Sequence, residues 1–160
     1  MKAEEKGTGS MSAEDEVCQA SEQYYAALTD LLNGDAKPLM QIWSHSPDVT
    51  AMNPYGGREV GWQQLQPVFE RVAQMCLGSQ ARVWLKDPLI RVGGDLAYEI
   101  GIESGEGIIM GKPTTISHRV TNIYRREAGG WKMVHRHTDL NAAEQEVSRQ
   151  VHSSQGEASS

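Results

Sequence analysis

The sequence predicts an α+β domain in which three helices pack on one face of a curved, mostly antiparallel sheet. Apolar residues recur at helical spacing through most of the first half of the chain. The second half consists of long runs rich in β-branched and aromatic residues, separated by glycine-bearing turns. A curved sheet capped by helices encloses a cone-shaped cavity, so we expect a ligand pocket between the two layers.

The N-terminal half predicts three helices and one short strand. The first helix begins at a capping box led by Ser12 and ends before Asn33-Gly34. Asp35 caps a short second helix. An extended segment, Asp48–Asn53, is followed by a turn and then by a third helix from about Gly61 to Leu77.

The C-terminal half predicts four long antiparallel strands. They lie within Ala81–Val92, Leu96–Glu103, Thr114–Arg125 and Trp131–Leu140. A Gly-Gly turn joins the last two strands as a hairpin. The glycine-rich segment Ser104–Lys112 is expected to be a connection. The folded domain should span residues 12–140, with a disordered polar lead at 1–11 and a disordered polar tail at 141–160.

Composition argues against several classes of partner. The 160-residue chain has a formal net charge of −6, which is the wrong sign for a nucleic-acid-binding surface. No apolar run approaches the roughly 20 residues that cross a bilayer, and the N-terminus lacks the apolar stretch of a signal peptide. We therefore expect a cytoplasmic protein that binds neither nucleic acid nor membrane, with Cys18 and Cys76 as buried, reduced thiols.

The final hairpin concentrates chemically active side chains. It holds three of the five histidines, together with Arg119, Arg136 and Asp139. Because side chains alternate across a strand, each face of the hairpin mixes apolar and polar groups. Periodicity alone therefore does not say which face lines the cavity.

Three segments resemble the nuclear transport factor 2-like superfamily: Asn33-Gly34-Asp35, Val49–Pro54, and Tyr124–Arg126 followed by Trp131–His137. This superfamily includes SnoaL-like polyketide cyclases, ketosteroid isomerases and the association domain of calcium/calmodulin-dependent kinase, and the last segment is most similar to the kinase association domain. The resemblance covers about Glu14 to Asp139 and implies a cone-shaped α+β barrel.

The resemblance also implies a site and a partner. The ligand-binding positions that the resemblance implies are Tyr24, Asn53, Tyr98, Arg119, Thr121, Arg136 and Thr138. We add Trp43, whose apolar surroundings indicate the core or the pocket wall. The opposite sheet face then holds His118, His135, His137 and Asp139. In dimeric relatives that face packs against a partner, so we expect a homodimer.

Asn53 bears on the chemistry. It falls where ketosteroid isomerase carries its proton-shuttling aspartate, and an amide cannot act as a general base. We therefore do not expect steroid isomerase chemistry by that mechanism. Asn53 either orients a ligand or a water molecule, or simply hydrogen-bonds the backbone at the end of a strand.

Arg119 and Arg136 would form a cationic site if both pointed inward. Burial does not neutralise arginine, so a buried pair requires an anion from the protein or from a ligand. With Glu99 and Asp139 expected to face outward, few protein carboxylates remain. The alternative is that one arginine lies at the pocket rim and is solvated.

Two functions remain open from the sequence. The first is a small-molecule lyase, isomerase or cyclase that needs no cofactor and acts on a compact, possibly anionic substrate. The second is a non-catalytic ligand-binding or oligomerisation module. His135-x-His137-x-Asp139 could be read as a metal site, but no third and fourth ligands are identifiable, so no metal is predicted and the catalytic residues stay unknown.

Overall fold

The computed structural model describes residues 10–109, 111–142, 145–146 and 149. The domain predicted for residues 12–140 falls almost entirely within this part of the chain. The lead at 1–11 and the tail at 141–160, both predicted to be disordered, lie mostly outside the described residues.

The three predicted helices are present: α1 (Ala13–Leu31), α2 (Lys37–Ile42) and α3 (Trp62–Met75). The capping box of α1 forms as expected, because the Ser12 side chain accepts from the Asp15 backbone and the Asp15 carboxylate accepts from the Ser12 backbone. In the part of the chain that the structure describes, no helix combines the length and the apolar character needed to cross a membrane.

The first two strands form a small hairpin. Strand β1 (Thr50–Asn53) lies within the predicted extended segment, and β2 (Gly56–Val60) follows it where only a turn was expected. The turn allows tight reversal because Gly56 has a positive φ of 103°. The hairpin joins the main sheet through β1.

The remaining strands are β3 (Arg82–Gly93), β4 (Leu96–Ile109), β5 (Lys112–Glu127) and β6 (Gly130–Thr138). Together the six described strands form one sheet in the order β2-β1-β6-β5-β4-β3. All neighbouring pairs are antiparallel except β1 and β6, which run parallel. The predicted α+β cone fold is confirmed, with a curled sheet that does not close into a complete barrel.

The glycine-rich segment that was expected to connect two strands is itself mostly strand. Strand β4 continues to Ile109 and β5 begins at Lys112. A Cβ atom on Gly105 would lie 2.5 Å from the backbone oxygen of Arg82. Glycine at that position is therefore explained by the close approach of β3 and β4 and not by a loop.

The helices cover one face of the sheet, which we call the inner face, and the other is the outer face. Helix α1 packs against β3 and β6, and its tyrosines reach the sheet interior. Most of the core lies between these layers. Its largest fully buried side chains are Trp43, Tyr24, Tyr124, Leu39, Leu65 and Met133.

The two cysteines differ from the expectation in one respect. Both are free thiols, and Cys76 is buried, but Cys18 is exposed on α1. Val17 beside it is fully buried. Successive residues of a helix are rotated by about 100°, so Cys18 lies on the neighbouring, solvent-facing side. The expectation that Cys18 is buried is wrong.

Candidate functional site

Strand pairing determines which polar groups meet on the inner face. Directly opposed residues share a face, and the register places Glu103 opposite His118, Glu99 opposite Asn122, and Asn122 opposite Arg136. All five side chains belong to buried residues. The inner face of β4, β5 and β6 therefore carries a row of polar groups beneath the helices.

A bidentate ion pair lies at the centre of this row. The Arg136 guanidinium donates to the two carboxylate oxygens of Glu103 at 2.6 and 2.7 Å. The His118 ring nitrogen Nε2 donates to the same carboxylate at 2.9 Å, and the Tyr25 hydroxyl donates to it at 3.2 Å. Both ion-pair residues are at most 4% exposed. Each group is thus the counter-ion of the other, and the carboxylate accepts four hydrogen bonds.

The ion pair controls the charge of the site. Burial alone would raise the pKa of Glu103, but the Arg136 charge and the hydrogen bonds from Arg136 and His118 outweigh it and hold that pKa at about 2. Burial works against the Arg136 charge too, yet Glu103 keeps the pKa of the guanidinium well above its usual value. Both groups are therefore charged at neutral pH.

A second carboxylate extends the network. The amide nitrogen of Asn122 donates to the Tyr25 hydroxyl at 3.2 Å and to Glu99 Oε2 at 3.1 Å. The Tyr124 hydroxyl donates to the same Glu99 oxygen at 3.2 Å. Burial raises the pKa of Tyr124 well above its usual value, so the phenol keeps its proton. Hydrogen bonds therefore link Glu99 to Glu103 through the interior.

A small cavity of about 50 Å³ lies beside the ion pair. Glu103 and Arg136 form one wall, and aliphatic and aromatic side chains of α1, α2 and α3 form much of the rest. A cavity of this volume holds one or two water molecules. Burial raises the pKa of Tyr24, which lies in the wall with Arg136 near its ring.

Asn53 contributes an amide group to this cavity. Its amide nitrogen is buried and makes no hydrogen bond within the described part of the chain. Burial raises the pKa of the nearby Glu59 carboxyl, and the Asn53 amide lowers that pKa by a smaller amount. Asn53 therefore offers the cavity a hydrogen-bond donor.

Five of the eight predicted site residues are buried beneath the helices, and three of these line the cavity. They are Tyr24, Asn53 and Arg136. Trp43 packs in the core with its ring 5.8 Å from that of Phe69. Thr138 is buried as well, but its hydroxyl donates to the backbone oxygen of Met52. Whether any of them binds a ligand stays a prediction.

The other three predicted site residues lie on the wrong face. Tyr98, Arg119 and Thr121 lie on the outer face of β4 and β5, across from the cavity. Arg119 forms an exposed ion pair with Asp139, with nitrogen–oxygen distances of 2.8 and 3.1 Å. The two arginines therefore do not converge on one site, and of the two alternatives the structure has the one in which an arginine, Arg119, is solvated.

The error follows from the polarity of β4. The resemblance implies that the Tyr98 side of β4 faces the pocket and that Glu99 lies outside, whereas Glu99 is fully buried. The more polar side of β4 lies inward because its two carboxylates find donors on β5, β6 and α1. His118 was likewise assigned to the wrong face and is buried against Glu103.

Sequence reasoning missed the residue that organises the site, Glu103, and its hydrogen-bond donor Tyr25. One signal was available. Glu99 and Glu103 lie four residues apart on the same side of β4, and β5 offers Asn122 and His118 at the same spacing. Two carboxylates matched by two polar partners on the neighbouring strand indicate a buried polar row.

The outer face carries the apolar side of the same strands. Leu89, Ile100 and Thr121 follow one another across β3, β4 and β5, and Arg91, Tyr98 and Ile123 form the adjacent row. A groove of about 570 Å³ crosses this face, bounded by the β3 bulge at Asp87 and by the end of β6. In the described ranges no three histidine, cysteine or acidic side chains are placed to hold a metal ion.

Comparison with known proteins identifies the family. A SnoaL-like domain model matches residues 17–139, and the chain belongs to this family. Solved NTF2-like structures share its fold, which confirms the predicted superfamily. A search of curated protein sequences finds no match.

Three of the similar structures illustrate the range of the fold. An NTF2-like protein from Streptomyces avermitilis with a proposed dehydratase function is 20% identical, has a TM-score of 0.68, and is matched over 80% of this chain and 95% of its own. An NTF2-like protein from Salmonella enterica serovar Typhimurium is 20% identical, with a TM-score of 0.68 and coverage of 81% and 92%. The CaMKII hub from S. rosetta is 20% identical, with a TM-score of 0.64 and coverage of 82% and 98%.

We predict that Glu103 contributes to acid sensitivity. Its carboxyl pKa is about 2 in the folded chain against an ordinary value of 4.5. A lowered carboxyl pKa gives stability that is present above the unfolded value and is lost as pH falls through the folded value. Urea denaturation should show the free energy of unfolding falling between about pH 4.5 and pH 2, with a smaller slope in Glu103→Gln.

The exposed Glu106 on the same strand provides the matched control. Glu106→Gln should keep the wild-type pH dependence. A Glu103→Gln curve that runs parallel to the wild type would contradict the role given to the ion pair.

Proposed function

We propose that this chain is an association module whose outer sheet face binds a second copy of itself. The observation that carries the proposal is the apolar outer face. Leu96, Tyr98 and Ile100 are 52%, 45% and 39% exposed on one strand, and Leu89 on the next is 39% exposed. Single exposed apolar residues are ordinary, but contiguous rows of them characterise interaction surfaces.

The charges at the borders of this face suit self-association. Arg119 pairs with Asp139, and Arg125 pairs with Asp48 at 2.7 and 3.2 Å. Because Arg119 and Arg125 are already matched within one chain, these two border cations add little net charge when two copies approach. A face with an apolar centre and a polar border has the composition of an interface core and rim.

The structural neighbours support the same reading. The S. rosetta structure is a CaMKII hub. A further neighbour, with a TM-score of 0.61, is the association domain of C. elegans CaMKII. These names describe assembly in those proteins. At 20% and 15% identity the likeness shows the fold, and the outer face of this chain supplies the independent argument.

The described cavity favours assembly over catalysis. A general base near neutral pH needs a pKa near neutral pH. The Glu103 carboxylate has a pKa of about 2 and is held by four hydrogen bonds. Arg136 stays charged beside it. Neither group can act as a general base near neutral pH, so we rank the lyase, isomerase or cyclase function below assembly. The cytoplasmic location stays a prediction.

We predict that the chain forms a homodimer or larger homo-oligomer at micromolar concentration. Ile100→Glu places a charge at the centre of the outer face and should give a monomer in sedimentation velocity. Circular dichroism should stay at the wild-type signal, because the side chain is already partly exposed.

Leu77→Glu is the matched control. Leu77 is 71% exposed just after α3, on the helical side of the molecule. This variant should associate like the wild type. A wild-type chain that sediments as a monomer at micromolar concentration would refute the proposal.

A second candidate function, small-molecule binding, rests on the unmatched Asn53 amide nitrogen in the cavity wall. Since Glu103 already neutralises Arg136, the site offers an anion little net charge. We therefore infer a compact ligand with a carbonyl or hydroxyl group beside an apolar body. The cavity is small, so binding requires the helices to move outward.

We predict that an amide ligand and the matching carboxylate bind with similar affinity, as measured by calorimetric titration of short-chain acids and their amides. A ligand at 100 times its Kd should stabilise the fold by about 2.7 kcal/mol. Tyr24→Phe and Asn53→Ala should weaken binding, and Arg119→Met on the outer face should not. A strong preference for the carboxylate, or losses equal in all three variants, would contradict this site.

A further inference from the structure

We propose that His135 and His137 make association through the outer face pH dependent, so that copies bind each other at neutral pH and separate in mild acid. This inference rests on the proposed self-association. Both histidines lie on the outer face of β6, at alternate positions of the strand. Their ring centroids are 6.3 Å apart.

The histidines continue the apolar rows described above. His137 lies between Thr121 of β5 and Met52 of β1, and thus extends the row that contains Leu89 and Ile100. His135 lies between Ile123 and Thr50 in the row that contains Tyr98. A partner that covers the apolar rows therefore covers the two imidazoles as well.

Neutral imidazole suits this position. The Nδ1 atom of His135 lies 2.6 Å from the Thr50 hydroxyl, a contact that a neutral ring can make as either donor or acceptor. The neighbouring side chains in both rows are threonine, methionine and isoleucine. None of these carries a charge that could stabilise an imidazolium ring inside an interface.

Among the described residues, the charged groups elsewhere on this face place no unpaired carboxylate near the two histidines. The titratable or charged side chains that the strand register places on this face are Arg58 of β2, Arg82, Lys86, Asp87 and Arg91 of β3, Tyr98 and Glu106 of β4, Arg119, Arg125 and Glu127 of β5, Lys132 of β6, and Asp139 after β6; Glu127 pairs with Arg125. Asp139 already pairs with Arg119. Asp87 lies three strands away from β6, roughly 14 Å at the usual strand spacing.

Protonation therefore opposes association in two ways. Covering an imidazolium ring costs desolvation energy without a matching anion. A contact between identical faces also brings like charges together, because each copy presents the same histidines. Both effects act only when the rings carry a proton.

The single chain already shows the first effect. Burial lowers the pKa of His135, and the neighbouring His137 lowers it further. A histidine with a lowered pKa disfavours the protonated state, so the penalty is absent above its ordinary value of 6.5 and grows as pH falls. Covering by a partner extends the same burial.

The test is sedimentation velocity at pH 8 and pH 5.5 over a concentration series. The wild type should associate at pH 8, and its Kd should rise at least about tenfold at pH 5.5. A histidine whose pKa is one unit lower in the complex than in the free chain contributes up to a factor of ten. Circular dichroism should show a folded chain at both pH values.

The double variant His135→Gln and His137→Gln keeps hydrogen-bonding capacity without a titratable ring. It should associate at pH 8 and keep the same Kd at pH 5.5. His45→Gln changes a histidine in the loop after α2, where it contacts the Met40 backbone oxygen, and should behave like the wild type.

Each outcome decides a different point. Equal association of the wild type at both pH values would overturn the pH dependence and leave the proposed assembly standing. Acid dissociation of the double variant to the wild-type extent would show that other groups control the interface, and would overturn the role of these histidines. A monomer at pH 8 would overturn both proposals.

Discussion

A guanidinium and a carboxylate buried together determine how this molecule is arranged. The helices shield Arg136 and Glu103 from water, which costs desolvation free energy. The ion pair between them, with nitrogen–oxygen distances of 2.6 and 2.7 Å, offsets that cost. Tyr25 from α1 and His118 from β5 complete the carboxylate's hydrogen bonds. The interaction thus joins α1, β4, β5 and β6 at one point.

The orientation of the sheet follows from this point. With Glu103 inside, every second residue of β4 faces inward, and the apolar residues between them face outward. A strand whose carboxylates are buried and whose isoleucine and tyrosine side chains are exposed reverses the usual distribution. Such a strand suits a protein that covers its outer face with another copy. The inner polar row and the outer apolar rows are therefore two results of one register.

Element order was predictable because it depends on local patterns. The capping box at Ser12 marks the start of α1, and the glycine-bearing turn marks the β5–β6 hairpin, and both are read within a few residues. Strand β2 was missed because Gly56-Gly57 resembles a simple turn. Its strand character comes from pairing with β1, which sequence patterning over five residues does not reveal.

The site was only partly predictable because it depends on long-range pairing. Tyr24, Asn53 and Arg136 line the cavity, but the partner of Arg136 is a residue 33 positions earlier in the chain, on another strand. Alternation gives two faces for each strand and leaves open which is buried. Glu103 is stable in the interior because Tyr25, His118 and Arg136 donate hydrogen bonds to it. The same strand register places Arg119 on the outer face.

The most direct test of this account is a double-mutant cycle on Glu103 and Arg136, followed by urea denaturation at pH 7. Glu103→Gln and Arg136→Met should each destabilise the fold by about 3–5 kcal/mol, because each leaves one buried group without its partner. The double variant should cost clearly less than the sum of the two, and the exposed pair Arg119–Asp139 should show a much smaller coupling. Additive effects of Glu103→Gln and Arg136→Met, within about 0.5 kcal/mol, would show that the buried pair does not organise the structure.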